Sequence, residues 1–492
     1  MLLLGLDIGT SSIKASVVDA NTQQIIATAQ YPETESEIIA LEMGWAEQNP
    51  EMWWQHVQMA ILKVNAQQLY IPSDIKAIGI AYQMHGLVCV DKNQNVLRNS
   101  IIWCDSRAVE IGNNAFEKIG NSTCLLNLLN SPGNFTASKL MWVKENEPEL
   151  FNKIDKVMLP GDFIAMKLTG ECTTSISALS EGIFWDFRNN ELSVDVFDCF
   201  SFSKSLIPQL RRVFDEHGFL KSDVANYLSL AAGIPVTYKA GDQPNNALSL
   251  NILQPGEVAA TAGTSGVIYG ISDQLTFDKK SRVNTFAHVN YTAEEKRLGV
   301  LLCINGTGIL NKWVKKITGN LLSYQEINVA ASTINTGSNG LFMLPFGNGA
   351  ERILENKIVQ GHIHGIDFNV HTTAHLYRAA QEGIAFAFRY GLDIMRECGI
   401  HPKVIRAGKA NMFLSDVFIE SFVNSTGVPV ELYNCDGSVG AALGAGIGVG
   451  IFKTEAEAFN NAKLLKLVEP EKTDTYNSLY EEWKEVLLNC IN

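Results

Sequence analysis

One device occurs twice in this chain, and that repetition constrains the fold more than any other feature. Residues 2–31, LLLGLDIGTSSIKASVVDANTQQIIATAQY, alternate strand and turn: apolar Leu2–Leu6, a turn at Gly9–Ser12, Ile13–Asp19, a turn at Asn21–Gln23, then Gln24–Tyr31. Glu257–Ile271, EVAATAGTSGVIYGI, again runs strand, Gly-Thr-Ser-Gly turn, strand. Two copies of one β-turn-β unit, each heading half of a 492-residue chain, predict an internally duplicated α/β protein with a cleft between its halves.

The two tips also carry chemistry. Asp7, Gly9, Thr10, Ser11 and Ser12 bring an acceptor, a flexible backbone and hydroxyls to one point, which suits donors aimed at phosphate oxygens. Asp7 would repel a phosphate unless a cation lay between, so a Mg²⁺ near Asp7 is the economical reading. A single turn of this kind is ordinarily a polar hairpin; two facing one another would clamp a polyphosphate. The formal charge of −13 argues against a nucleic-acid or anionic-membrane surface and requires any polyphosphate to be held locally.

Between the tips lies Val236–Leu250, VTYKAGDQPNNALSL. Val236 and Tyr238 read as a strand, Ala240-Gly241 stop it, and Asp242-Gln243-Pro244 open a helix. Asp242 is either only that helix's N-cap or a carboxylate at the joint between halves, placed to take a proton from a substrate hydroxyl.

The rest of the chain supplies scaffold and two further polar knots. Asn49-Pro50-Glu51 starts a helix in which Trp53 and Trp54 are core anchors. Lys76–Ala81 is a strand entering Tyr82-Gln83-Met84-His85-Gly86, a loop at a sheet end where pockets form. Ile101–Trp103 is a strand entering Cys104–Arg107, where Asp105 and Arg107 are either an ion pair or ligand contacts. Lys139–Glu149 reads as a helix, and Asp162 as the cap of another. Cys303–Ile317 reads as a helix with Trp313 packed inside, and Ala379–Cys398 as a long helix. Lys403–Ile405 is a strand running into Gly408 and Asn411, and Gly437–Gly450 a small-residue helix suited to close packing. Tyr476, Leu479, Tyr480, Trp483, Val486 and Leu487 form a stripe at helical spacing.

Several alternatives fall away. There is no P-loop, and the glycines at 437–450 miss the dinucleotide fingerprint. Nine dispersed cysteines without a C-x-x-C pair suggest reduced thiols in the cytoplasm. Asp7 interrupts the opening apolar run, which argues against a signal peptide, and no segment reaches a membrane-spanning apolar length.

Taken together, DIGTSSIK at 7–14, GWAEQNPEMWW at 44–54, YQMHG at 82–86, WCDSR at 103–107, FTASKLMWV at 135–143, LPGDFI at 159–164, AGDQ at 240–243, GTSG at 263–266 and GAALGAG at 440–446 resemble the FGGY carbohydrate kinases. Any one match is weak, but their order and spacing are specific. The resemblance implies two actin-like (ribonuclease H-like) α/β domains with an interdomain active-site cleft. They would be an N-terminal domain at 1–239, a C-terminal domain at 240–455, and a helical segment at 456–492 packing on one of them.

It further implies ATP and Mg²⁺ as cofactors, a small sugar as substrate, no nucleic-acid or membrane partner, and the homodimer common in the family. Asp242 matches the family's catalytic base, and Asp7 the carboxylate that acts through Mg²⁺ by way of water. Thr10, Ser11, Ser12, Gly263, Thr264 and Ser265 match its phosphate turns, and Gly408 and Asn411 its adenosine motif. Met84, His85, Asp105 and Gln243 are the implied sugar contacts. Glycerol kinases of the family carry Arg-Glu at the Met84-His85 position, so this pair favours a ketopentose, D-xylulose phosphorylated at O5, over glycerol. Ribulose, gluconate or a deoxy-ketose is the alternative within the class.

Two departures stand out. Arg406-Ala407 occupy places where the family has consecutive glycines, so an Arg side chain is expected to narrow the nucleotide pocket or touch the nucleotide. That departure also keeps open a catalytically silent sugar-binding protein on the same scaffold. The family's Gly-Glu-Arg-x-Pro loop survives as Ala350-Glu351-Arg352, with Leu354 in place of proline.

Overall fold

The computed structural model describes residues 1–491. Its first sheet is built from β1 (Leu2–Ile8), β2 (Ile13–Asp19), β3 (Ile25–Tyr31), β4 (Ile75–Tyr82) and β5 (Val236–Gly241), in the order β5-β4-β1-β2-β3. β1, β2 and β3 form an antiparallel meander, while β4 and β5 run parallel to β1.

The second sheet repeats this plan with an added strand at each edge. It comprises β6 (Val258–Ala262), β7 (Gly266–Ser272), β8 (Asn284–Ala287), β9 (Leu298–Ile304), β10 (Ile405–Gly408), β11 (Val430–Tyr433) and β12 (Leu464–Val468), ordered β8-β9-β7-β6-β10-β11-β12. β6, β7 and β9 make the meander, and β10 and β11 run parallel to β6. The repeated turn seen in the sequence is therefore the visible part of a duplicated five-strand topology.

The helices follow from local signals. α1 (Pro50–Asn65) is capped by Asn49, whose side chain accepts from the Glu51 amide, and it buries Trp53, Trp54, Val57 and Ile61 against the first sheet. α2 (Thr136–Asn146), α3 (Pro160–Thr169) and α4 (Ile176–Glu181) belong to a layer inserted between β4 and β5. α5 (Asp242–Ser249) leaves β5 directly. In the second half come α6 (Gly308–Ile317), the long α7 (Thr373–Glu397), α8 (Asp416–Thr426), α9 (Gly437–Gly448) and α10 (Thr473–Ile491). The terminal stripe does pack: Tyr476, Tyr480, Trp483 and Leu487 are buried in the core of the second half, and the Trp483 indole N–H donates to the Met343 carbonyl at 2.8 Å.

α9 ties the halves together. It begins beyond β11 of the second sheet but lies on β1, β4 and β5 of the first. Small residues make this possible. A Cβ on Gly5 would fall 1.8 Å from the Ser438 carbonyl oxygen, and one on Gly79 would fall 1.9 Å from that of Ala441. β5 likewise runs on through the sequence boundary at 239/240 before the chain leaves the first sheet.

Three local expectations are corrected. Trp313 is 45% exposed on α6 rather than packed inside, because the segment before Gly308 is strand β9 and the short helix buries mainly Asn311 and Val314. Asp162 is no cap: it sits inside the first turn of α3, buried, and takes a hydrogen bond from the Lys239 ammonium at 2.6 Å. Gly241 is the residue flanking α5, and Asp242 is the helix's first residue.

Among the described residues no helix is long and apolar enough to cross a membrane, and all nine cysteines are free thiols.

Candidate active site

In parallel sheets, ligands gather outside the carboxyl ends of the strands, where chain reversal leaves backbone groups free. Here those ends carry the residues singled out by the sequence. Asp7 stands at the end of β1, Gln83-Met84-His85 follow β4, and Asp242 follows β5. In the second sheet, Gly263-Thr264-Ser265 follow β6, Asn411 lies shortly after β10, and Asp436 follows β11 as the cap of α9.

Two cavities meet at the Gly263–Ser265 turn. One of about 370 Å³ is lined by Met84, His85, Asp242, Gln243 and Ser265, with Arg352 reaching in from the second half. The other, of about 660 Å³, is lined by Gly263, Thr264, Gly308, Asn311, Asn411 and Ser415. Thr264 faces the larger and its neighbour Ser265 the smaller, so a single turn forms the partition between them.

The smaller cavity is rich in acceptors. The His85 ring Nδ1 lies 3.2 Å from the Glu181 carbonyl oxygen, so it is the protonated nitrogen and Nε2 is left as an acceptor. Burial, with Lys139 and Arg352 nearby, pushes the His85 pKa down to about 3, so the ring stays neutral. The Asn134 Oδ1 is buried without a hydrogen-bond partner. Arg352 has no carboxylate partner among the described residues and lies 5.9 Å from the Phe135 ring centre.

Asp242 is altered by this setting. Burial first, then the Asp7 carboxylate, lift its pKa to about 7, against donations from Gln243 that lower it. An ordinary aspartate is a feeble base at neutral pH; this one is matched to it.

Asp7 fits a divalent cation held partly by water. Burial and the neighbouring Asp436 carboxylate raise its pKa to about 6. Burial works against ionisation of Asp436 too, but Lys14 and Ser438 bond to it and hold it below the usual range. A Cβ on Gly437 would fall 2.3 Å from Asp7 Oδ2, so glycine keeps the space beside that carboxylate open. Among the described residues no three His, Cys, Asp or Glu side chains enclose a metal. Two carboxylates with open space suit Mg²⁺, which keeps its waters and is shared with substrate phosphates.

The sequence-derived residues divide clearly. Met84, His85, Gln243, Ser265 and Asp242 line the smaller cavity, and Gly263, Thr264 and Asn411 the larger. Thr10 stands at the first tip, but its hydroxyl already donates to Gln83 Oε1 at 3.0 Å and accepts from the Trp103 indole at 3.0 Å. Ser11 and Ser12 share that tip, closed by the Gly9 amide on the Ser12 carbonyl. Gly408 does not line the larger cavity; it ends β10 and leads to Asn411.

Asp105 is corrected as a sugar contact. It is 1% exposed and receives the Arg107 guanidinium on both oxygens, at 2.9 and 3.0 Å from Nε, together with the Ala46 amide. Arg107 also reaches Glu47 and stacks 3.8 Å over the Trp45 ring, so the pair is buried scaffold. Only the Asp105 backbone carbonyl touches the site, by accepting from the Asn134 side chain.

Arg406 is corrected as well. Its guanidinium turns to the Asn251 carbonyl at 2.6 Å and to Glu431 at 3.1 Å, and it does not line the larger cavity.

Sequence reasoning names Arg352 only as part of the altered Gly-Glu-Arg-x-Pro loop and Trp103 only as the end of a strand, and passes over Asn134, Asn284, Asp436 and Glu181. Only Asp436 had a readable signal, as an Asp one residue before a glycine-rich helix.

The profile described as the FGGY family of carbohydrate kinases, N-terminal domain, matches residues 2–249, and the corresponding C-terminal domain profile matches residues 258–449. A xylulose kinase of Escherichia coli (strain K12) is 29% identical over 453 residues, covering 90% of this chain and 88% of that protein. The crystal structure of a xyloylose kinase from Brucella ovis superposes with a TM-score of 0.90 at 25% identity over 100% of both chains. A gluconate kinase from Lactobacillus acidophilus shares the fold, with a TM-score of 0.90 at 21% identity, covering 100% of this chain and 98% of that one.

Proposed function

Because the chain belongs to the FGGY family of carbohydrate kinases, and so phosphorylates a sugar, we propose that its reaction is transfer of the γ-phosphoryl group of MgATP to O5 of D-xylulose. The observation that carries this reading is the shared partition. Asp242 and Ser265 face one cavity while Thr264 faces the next, so an acceptor hydroxyl and a triphosphate meet across one turn.

Asp242 accepts the proton of the attacking hydroxyl, a contribution of roughly 10²–10⁴-fold, while positioning and neutralisation of charge supply the rest. Gly263 and Thr264 hold the phosphates through backbone N–H groups, and the first tip offers those of Thr10–Ser12. Asp7, with Asp436 and Lys14 behind it, would hold Mg²⁺, which when bound neutralises phosphate charge. Met84 and His85 orient the ketose, the neutral ring accepting a sugar hydroxyl at Nε2. Closure of the two halves excludes water, so the sugar receives the phosphoryl group. In this reading residues 1–239 form the sugar-side domain, 240–455 the nucleotide-side domain, and nine free thiols support a cytoplasmic setting.

Arg352 favours one second reading: an unpaired guanidinium in the smaller cavity suits a sugar acid such as gluconate, whose carboxylate it would bind. ADP release measured over a panel of D-xylulose, D-ribulose, gluconate, a deoxy-ketose and glycerol tests both. Highest kcat/KM with D-xylulose supports the proposal; preference for gluconate transfers the assignment to the sugar acid. Absence of MgATP binding under every sugar condition would overturn the kinase reading itself.

A further inference from the structure

Glu181 ends α4, fully buried, and belongs to neither cavity lining. Its contacts nevertheless converge on His85. Glu181 Oε1 accepts the His85 backbone N–H at 3.1 Å, and the Glu181 backbone carbonyl accepts the ring Nδ1–H at 3.2 Å. From the other side Lys139, also buried, donates its ammonium to the His85 carbonyl at 2.9 Å. His85 needs such restraint, because its φ of +61° lies in the left-handed region that a non-glycine residue adopts only when its surroundings hold it there.

The remaining Glu181 oxygen, Oε2, is buried without a partner. It lies beside Gly241, the residue preceding Asp242, since a Cβ there would fall 2.8 Å from it. An acid sealed beneath both the sugar-facing pair and the base is costly to bury, and helix packing alone does not require one.

We propose that Glu181 is a positioning residue for sugar recognition: it fixes the backbone and the ring tautomer of His85, so that Nε2 is presented to the sugar as an acceptor. Burial pushes the Glu181 carboxyl well above the usual carboxylate range, with Asp242 and Asp162 adding to the rise and the His85 amide and Lys139 opposing it. A neutral acid at this place would act as a shaped acceptor rather than as a charge, and glutamine can copy it.

The inference rests on the sugar-kinase reading, and its test separates the two. With the best sugar of the panel, Glu181→Ala is expected to raise the sugar KM about tenfold while kcat and the KM for ATP stay within about twofold. Glu181→Gln is expected to bring the sugar KM back to within about threefold of wild type. An alanine variant with a wild-type sugar KM, or one that loses ATP as strongly as sugar, overturns the proposal. Nitrogen chemical shifts of the wild-type His85 ring provide a measurement without turnover or mutation. A neutral Nδ1–H ring across about pH 5–8 is expected, and an Nε2–H ring or an imidazolium in that range overturns the proposal. That result stands whichever sugar, or none, is phosphorylated.

Discussion

Asp7 near the end of β1 and Asp242 just beyond β5 stand on one sheet with β4 between their strands, and the Asp7 carboxylate is the second cause, after burial, of the Asp242 pKa of about 7. As general base, Asp242 must be ionised in the free enzyme. The kcat/KM for sugar should therefore fall as pH drops through about 7 and level off above it. Asp7→Asn removes the repulsion, so the residual activity of that variant should show its limb at lower pH. A limb that stays in place would mean that Asp7 does not act on Asp242.

Asp242→Asn separates the cost of the base from its use. The folded pKa is raised above the unfolded one, so this group's contribution to stability is full below about pH 4 and is lost as pH rises through about 7. Asparagine has no such dependence. The Tm of the variant minus that of wild type should grow between about pH 5 and pH 8, while kcat falls by roughly 10²–10⁴-fold and sugar affinity is kept. Comparing variant with wild type cancels the buried neutral His85, His217 and His288, whose depressed pKa values act with the opposite sign. Near-normal turnover would remove Asp242 from the role of base.

How much of this was legible in the sequence depends on how local each feature is. The two Gly-hydroxyl tips, the helix after Gly241 and the Tyr82–Gly86 loop are short-range patterns, and all stand at strand ends; of them, the second tip, Asp242-Gln243 and Met84-His85 line the cavities. For Asp105 the ion pair with Arg107 is legible as one of two readings, but what decides between them is Glu47 on the same guanidinium, a partner 60 positions away from that arginine. Arg406 was misjudged for the same reason: the carbonyl it meets belongs to Asn251, 155 positions distant. Trp313 misled because a large apolar residue at helical spacing reads as core, whereas α6 is short and turns that face outward. The small-residue helix was read as closely packed, but nothing in residues 437–450 says that the sheet beneath them is that of the other half.

Asp105 and Arg107 are expected to report on stability rather than on sugar affinity. Arg107→Ala leaves the Asp105 carboxylate buried without its cation, a loss of about 3–5 kcal/mol, while Glu47 keeps Arg98. Arg107→Lys should rescue little, since an ammonium reproduces neither the two-point contact with Asp105 nor the stacking on Trp45. Asp105→Asn should lower Tm yet keep the sugar KM within about twofold, because Asn134 binds the backbone carbonyl of residue 105 and not its side chain. Thermal melts and sugar titrations on the same preparations check this, and a KM effect without a Tm effect would return Asp105 to the sugar site.

Gly79→Ala tests whether the contact between α9 and the first sheet sets the cation site. The added methyl would fall 1.9 Å from the Ala441 carbonyl oxygen and 2.7 Å from its carbon, both backbone atoms that no rotamer change can move aside. The helix must shift, at a cost of about 1–3 kcal/mol for overpacking of this kind. Its N-terminal end carries Asp436, bonded to Lys14, and Gly437, which leaves the space beside Asp7 open. Displacement of α9 should therefore raise the Mg²⁺ concentration needed for half-maximal activity as well as lower Tm. The sugar KM should change less than the Mg²⁺ requirement, because Met84, His85 and Gln243 stand beyond the ends of β4 and β5, whereas Asp436 and Gly437 move with α9 itself. A variant with reduced Tm but unchanged Mg²⁺ dependence would show that the helix only supports the fold and that the position of Asp436 does not matter to the cation.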